Sequence, residues 1–316
     1  MKRIMNMTTH YTDMVRYESR DDLRGFFRSF GLDGLEVLEA GPDEKNVVVA
    51  EDTVGVHLRY FPTWYCLWAG DTEVILGEFG SWEEVKGQFG GTDREAILNA
   101  FAKNLAYARS MQPEYVVFHV SDALLDEVVT RNHRYTDEQI VDAAAEVLNA
   151  LLPKDEGFEL LLENLWWPGL RLTRPEITYR LLEKINYPRT GVMLDTGHLM
   201  HTNTALRTSE EAAAYIREVI SRYGDRSFIR GVHFHQSLSG AYVEEQKKHP
   251  PVLSGSYFEK SCAVAGYINT VDSHRPFLGR AAEELIDWLA PEYLVYELMS
   301  PTRETLAEDM RALTQK

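Results

Sequence analysis

The chain has 316 residues, 44% of them hydrophobic and 26% charged, a composition that excludes disorder and supplies a large core. Lys and Arg number 33 against 49 Asp and Glu, a formal charge of −16, which makes nucleic acid an unfavoured partner unless a local basic groove or bound cations reverse the sign. Two cysteines, Cys66 and Cys262, are too few for a disulfide framework, no apolar run approaches the roughly 18 residues of a membrane span, and no long apolar core precedes His10, so a soluble, cytoplasmic protein without membrane contact is expected.

Ile4 to Thr9 reads as a first strand and Asp21 to Phe30 as a helix stopped by Gly31. Leu35 to Leu38 alternates as a second strand, and Val54 to Tyr60 is a third, bearing His57 and running into aromatics. A long connection with Trp64, Tyr65, Trp68 and several glycines leads to a helix from Arg94 to Met111. The fourth strand is Tyr115 to Val120, followed by a helix from Asp137 to Leu152. Phe158 to Glu163 is the fifth strand, and Pro175 to Ile185 the next helix, with proline near its start where a missing N–H is harmless. The run Gly191-Val-Met-Leu-Asp-Thr-Gly-His198 gives a sixth strand buried on both faces, as parallel strands are. A helix from Glu210 to Tyr223 precedes the seventh strand, Ile229 to His235. Residues 236–278 are too long for a plain loop and read as an insertion with some helix around Tyr257 to Ala265. A helix from Arg280 to Leu289, the eighth strand Tyr293 to Glu297 and a helix from Glu304 to Thr314 complete the pattern. Regular βα alternation implies a single (β/α)8 TIM barrel over 1–316, with a long insertion after strand seven.

Sites of such barrels lie at the carboxyl ends of the strands. His57, His119, Glu163, Asp195, His198, His233 and Glu297 all stand there, and the insertion adds Asp272-Ser-His274. An isolated Asp-x-x-His is more often a helix cap followed by a core histidine. Seven candidate ligands at successive strand ends are poorly explained by chance, and carboxylate with imidazole suits zinc, manganese or a similar divalent ion.

These residues resemble the xylose isomerase-like TIM-barrel superfamily, which holds sugar isomerases, epimerases and endonuclease IV. Leu194-Asp-Thr-Gly-His198 and Glu163-Asn164 are similar to metal-binding segments of endonuclease IV, as are Val232-His233-Phe-His-Gln-Ser237 and Asp272-Ser-His274-Arg-Pro-Phe-Leu-Gly279. The resemblance implies a divalent metal (Zn, Mn, Mg or Co; one to three ions) among Glu163, Asp195, His233, Glu297, His57, His119, His198, Asp272 and His274. In its epimerases, one ion sits among the positions of Glu163, Asp195, His233 and Glu297, the two glutamates pass a carbon-bound proton, and His198 would hold a substrate hydroxyl. The chain departs from endonuclease IV in its acidity, in His235 and Gln236 where the nuclease has Asn-Asp, and in its longer insertion.

Tyr60, Trp64, Trp166 and Trp167 are expected to line the rim as sugar-stacking rings, Arg59 and Arg275 to bind a substrate anion, and His235 to touch substrate. The insertion is expected to cover the pocket and keep out duplex DNA. The leading expectation is a metal-dependent isomerase or epimerase of a small sugar or sugar phosphate, and the second an endonuclease IV-like multinuclear zinc phosphoesterase. A homo-oligomer is compatible with either.

Overall fold

In the computed structural model, which describes residues 1–314, eight parallel strands close a barrel in sequence order. They are β1 (Lys2–Thr8), β2 (Gly34–Leu38), β3 (Thr53–His57), β4 (Tyr115–His119), β5 (Glu159–Glu163), β6 (Thr190–Asp195), β7 (Ile229–His233) and β8 (Tyr293–Tyr296). β8 returns to β1 with Tyr293 opposite Lys2, which closes the ring. Register brings His119 level with Glu163 and Asp195 level with His233.

Side chains alternate between the barrel interior and the helix layer. The interior holds its own apolar layer of Ile4, Val54, Tyr115, Val117, Leu161, Met193, Tyr293 and Val295. The larger core lies between strands and helices and includes Val116, Leu160, Leu162, Val192 and Leu194. Parity then dictates the mouth: two residues beyond Val117, Leu161, Met193 and Val295 come His119, Glu163, Asp195 and Glu297, on the same inward face.

Helix starts follow local side-chain capping. Asp93 accepts from Ala96 N–H and opens Arg94–Met111, and Ser19 accepts from Asp22 N–H to open Arg20–Ser29. The long connection after β3 folds into three short helices, Tyr65–Ala69, Thr72–Phe79 and Trp82–Phe89. The first and third end at Gly70 and Gly90 in the left-handed conformation, so glycines that read as loop residues terminate helices instead.

The insertion contains two helices, Gly240–Lys248 and Tyr257–Val271. The second outruns the expected Tyr257 to Ala265, because Ser256 and Glu259 form a capping box and Val264, Tyr267 and Val271 continue its buried stripe. It packs on helix Leu125–Thr130, with the Tyr257 ring 4.4 Å from that of Phe79. Among the described residues no helix is long and apolar enough to cross a membrane.

Gly55 in β3 is required by close approach. A Cβ there would lie 2.1–2.5 Å from three atoms of the Tyr115 ring, which is fully buried in the barrel interior. Gly55→Ala is expected to destabilise the protein by about 1–3 kcal/mol through overpacking, measured as a lowered urea midpoint. An unchanged midpoint would show that the ring moves freely.

Candidate metal centre

The inward residues at the strand ends gather into three adjoining clusters, each with ligand atoms within 4.8 Å of one another: His57, His119 and Glu163; Glu163, Asp195, His233 and Glu297; and His198, His235, Asp272 and His274; a further group, Glu36, His57 and His233, overlaps the first two. All nine residues expected as metal ligands are therefore brought together. In the central cluster three carboxylates converge on one imidazole nitrogen, with His233 Nδ1 lying 3.1 Å from Glu163 Oε1, 3.3 Å from Glu297 Oε2 and 3.8 Å from Asp195 Oδ2. Glu163 joins two clusters, because its other oxygen is 2.9 Å from both His57 Nε2 and His119 Nε2. In the third, Asp272 Oδ2 is 3.0 Å from His198 Nε2 and 2.9 Å from His274 Nε2.

Three of the histidines are aimed by the other ring nitrogen. Nδ1 of His57 lies 2.8 Å from Leu58 O, that of His198 2.9 Å from Asn164 O, and that of His274 3.2 Å from Glu297 O. An Nδ1–H donated to a carbonyl leaves Nε2 as the ligating atom. Asp195 divides its oxygens between two duties: Oδ1 accepts the His198 N–H at 2.6 Å and caps helix Thr196–Met200, while Oδ2 faces His233 and His235. The cap and the ligand are one residue.

The chemistry of the donor set fits a divalent cation. Glu297 Oε2 and the Nδ1 atoms of His119 and His235 are buried without a hydrogen-bond partner, an arrangement that is costly unless a cation compensates it.

The clusters border a cavity of about 570 Å³, lined on one side by Tyr60, Trp166 and Trp167 and on the other by β1 and the segment after β8. Tyr60 and Trp167 stack at 5.9 Å, and Trp166 lies 5.2 Å from the His198 ring. The insertion contributes Ile268, Asp272 and His274 to the lining, so it walls one flank. His198 and Glu297 line the cavity, whereas Glu163 is fully buried beneath it.

Other expected contacts lie elsewhere. Trp64 is a core residue, 1% exposed, whose indole N–H donates to Ser121 O at 2.9 Å; its place just before helix Tyr65–Ala69 turns it inward. Arg59 is exposed and donates to Glu39 O. Arg275 is exposed too, and its backbone pairs with Gln236. His235 is fully buried and does not line the cavity; its Nε2 is 2.9 Å from Asp195 Oδ2, and its ring stacks on His274 at 3.9 Å. Gly197 admits that ring, since a Cβ there would fall 2.1 Å from it. Two polar residues of the site escaped the sequence reading. Glu36 is buried against His233 Nε2 at 2.9 Å, and its signal was a lone carboxylate in an otherwise apolar strand. His201 lies 3.4 Å from Asp272 Oδ1, and its signal was the three-residue spacing from His198 that puts both on one helix face.

The family model described as the xylose isomerase-like TIM barrel matches residues 87–288, more than half of the chain. The chain belongs to that family. Among solved structures, a D-tagatose 3-epimerase-like protein superposes with a TM-score of 0.52 at 15% identity, over 98% of this chain and 94% of that one. Endonuclease IV from Thermus thermophilus gives 0.50 at 15% identity, over 99% and 97%. A putative xylose isomerase from Rhodospirillum rubrum gives 0.51 at 13% identity, over 100% and 97%. At such identities the likeness speaks for the fold alone.

Electrostatics in this xylose isomerase-like barrel follow from burying anions among imidazoles. Burial alone would raise the Glu163 carboxyl, but facing His119 and His233 hold it well below the usual carboxylate range. Burial likewise opposes a charge on His233, yet Glu297, Glu36 and Glu163 keep its pKa well above the ordinary imidazole value. Asp195 and Asp272 do the same for His198, and His274, with Asp272 and Glu297 beside it, is pushed up to about 9. Burial pushes His119 and His235 down.

The carboxylates around His198, His233 and His274 favour a second ring proton on each, whereas a ligating imidazole must be neutral. Binding of zinc or manganese is expected to release protons, with apparent affinity weakening as pH falls. Calorimetry in two buffers of different ionisation heat checks this, and a binding heat independent of buffer at pH 7 would contradict it.

Proposed function

We propose that the protein is a divalent-metal-dependent isomerase or epimerase of a small, unphosphorylated sugar or sugar-like substrate. The observation that carries this reading is Glu297: its carboxylate borders the aromatic-walled cavity, and Oε2 has no hydrogen-bond partner among the central cluster. A cavity of about 570 Å³ suits a small molecule.

A divalent ion held by Glu163, Asp195, His233 and Glu297 would draw electron density from a substrate carbonyl and adjacent hydroxyl, making the neighbouring C–H more acidic. Glu297 is the carboxylate placed to take that proton and return it. His198 faces the cavity with Nδ1 engaged by Asn164 O and Nε2 by Asp272 Oδ2, so a substrate hydroxyl would take the place of Asp272 at Nε2. Tyr60, Trp166 and Trp167 offer apolar ring surface to a sugar face and exclude water. Glu163 lies below the cavity floor, so its part is to hold the ion and neutralise the imidazoles.

The choice of an unphosphorylated substrate follows from the lining. Among the described residues Arg16 is the one Arg or Lys there, and its guanidinium is already 3.2 Å from Asp13 Oδ1 and donates to Ser300 O at 3.0 Å. Among the described residues of the lining no other arginine or lysine takes the place of Arg59 and Arg275 as an anion binder.

One observation favours a second reading, a multinuclear zinc phosphoesterase. Three clusters adjoin, and Glu163 bridges two of them, an arrangement suited to several ions that generate and stabilise oxygen nucleophiles.

The two readings differ at carbon. Enzyme loaded with manganese or zinc is expected to introduce deuterium from heavy water into one ketose of a neutral panel, and Glu297→Gln to lower that rate by about 100- to 10,000-fold. No incorporation across the panel, together with metal-dependent cleavage of phosphoesters, would replace the first reading by the second.

A further inference from the structure

Glu36 is the inward residue of β2, 2% exposed, at the edge of the cavity and with a carboxylate oxygen within 4.8 Å of ligand atoms of His57 and His233. Its Oε1 lies 2.9 Å and its Oε2 3.1 Å from His233 Nε2. Oε2 also accepts the hydroxyl of Tyr115 at 2.8 Å, and Tyr115 is fully buried. The Tyr115 ring occupies the space left by Gly55, where a Cβ would meet it at 2.1 Å. Four strands, β2, β3, β4 and β7, thus give one inward position each to a single chain of contacts: Gly55 makes room for Tyr115, Tyr115 pins Glu36, and Glu36 holds His233.

His233 differs from its neighbours in how it is aimed. His57, His198 and His274 turn Nδ1 to the carbonyls of Leu58, Asn164 and Glu297. His233 is reversed, with Nδ1 facing the three carboxylates of the central cluster and Nε2 facing Glu36. The barrel interior around Tyr115 holds Val117 and Leu161, and the polar residue level with Glu36, Asn6, bonds to Leu298 instead, so packing alone would be served by an aliphatic side chain in place of Glu36. A buried carboxylate costs desolvation and needs a partner that repays it, and the two partners here are the Tyr115 hydroxyl and His233 Nε2.

We propose that Glu36 is the positioning residue for His233: it keeps the ring proton on Nε2 and so presents the Nδ1 lone pair to a divalent ion shared with Glu163, Asp195 and Glu297. The role deepens the metal-enzyme reading and rests on it. Glu36 does not ligate the ion itself, since its oxygens face the nitrogen on the far side of the ring. Tyr115 keeps the carboxylate from rotating away, and its own contribution is smaller because it acts through Glu36.

The test uses the full chain with zinc and with manganese. Affinity is measured by competition with a chromophoric chelator, and the His233 tautomer is read from imidazole 15N shifts of the zinc-loaded parent. Glu36→Gln is expected to weaken metal binding by about 10- to 100-fold, with Tyr115→Phe weakening it less and the melting of either metal-free variant staying near that of the parent. The parent should show His233 protonated on Nε2 and ligating through Nδ1. Parent affinity retained in Glu36→Gln overturns the role of Glu36 while leaving the metal reading intact. If that variant does not fold, the tautomer in the parent decides, and ligation through Nε2 overturns the proposal. A parent that binds neither ion overturns both the role and the reading beneath it.

Discussion

Glu163 has no exposed surface, yet its two oxygens face imidazoles of two clusters. An uncompensated carboxylate at that depth is strongly unfavourable, and the surrounding residues answer it. His57, His119 and His233 close around it, Asp195 and Glu297 add negative charge at the same His233 nitrogen that Glu163 faces, and neighbouring carboxylates raise the pKa of His233 and His198 against the effect of burial. The mouth of the barrel is a balance of buried charges in which imidazoles offset the carboxylates. A ligating imidazole is neutral, so an ion bound among these side chains would change their protonation.

Strand parity delivers those charges to one place, and parity was the part most legible in the sequence. Alternation within Tyr115-Val-Val-Phe-His119 and within Glu159-Leu-Leu-Leu-Glu163 sets His119 and Glu163 on the face of Val117 and Leu161, so a barrel read from βα alternation already implies convergence. Glu36 obeys the same parity and was missed because it sits at mid-strand, where a carboxylate reads as a solvent-facing residue of an alternating strand rather than an occupant of the interior. Only contact with His233 and Tyr115 distinguishes the two.

What the sequence could not supply was the direction of side chains outside the strands. Trp64, Trp166 and Trp167 carry the same aromatic signal, but Trp64 lies just ahead of a short helix and turns into the core, while Trp166 and Trp167 stay at the cavity. Arg59 and Arg275 flank ligand residues in the chain and face away from them in space. Helix lengths in the insertion depended on capping by Ser256 and on a buried stripe whose partners are far away in sequence. In each case the deciding contact is non-local, and periodicity carries no record of it.

The position of the cavity relative to the charges bears on the chemistry. Glu297 and His198 line the cavity together with Glu36, His57, His119, Asp272 and His274, whereas Glu163 and Asp195 are fully buried and do not. Backbone carbonyls of Leu58, Asn164 and Glu297 fix three imidazoles, and the Asp195 cap fixes a fourth ligand to the start of a helix, so these donors are held before any ion arrives. Preorganisation of that kind leaves Glu297 with the most freedom among the central ligands: its side chain is 16% exposed where those of Glu163, Asp195 and His233 are at 0%. Glu297 is thus the central carboxylate that borders the cavity, and the two glutamates differ by burial despite their equivalent positions at strand ends.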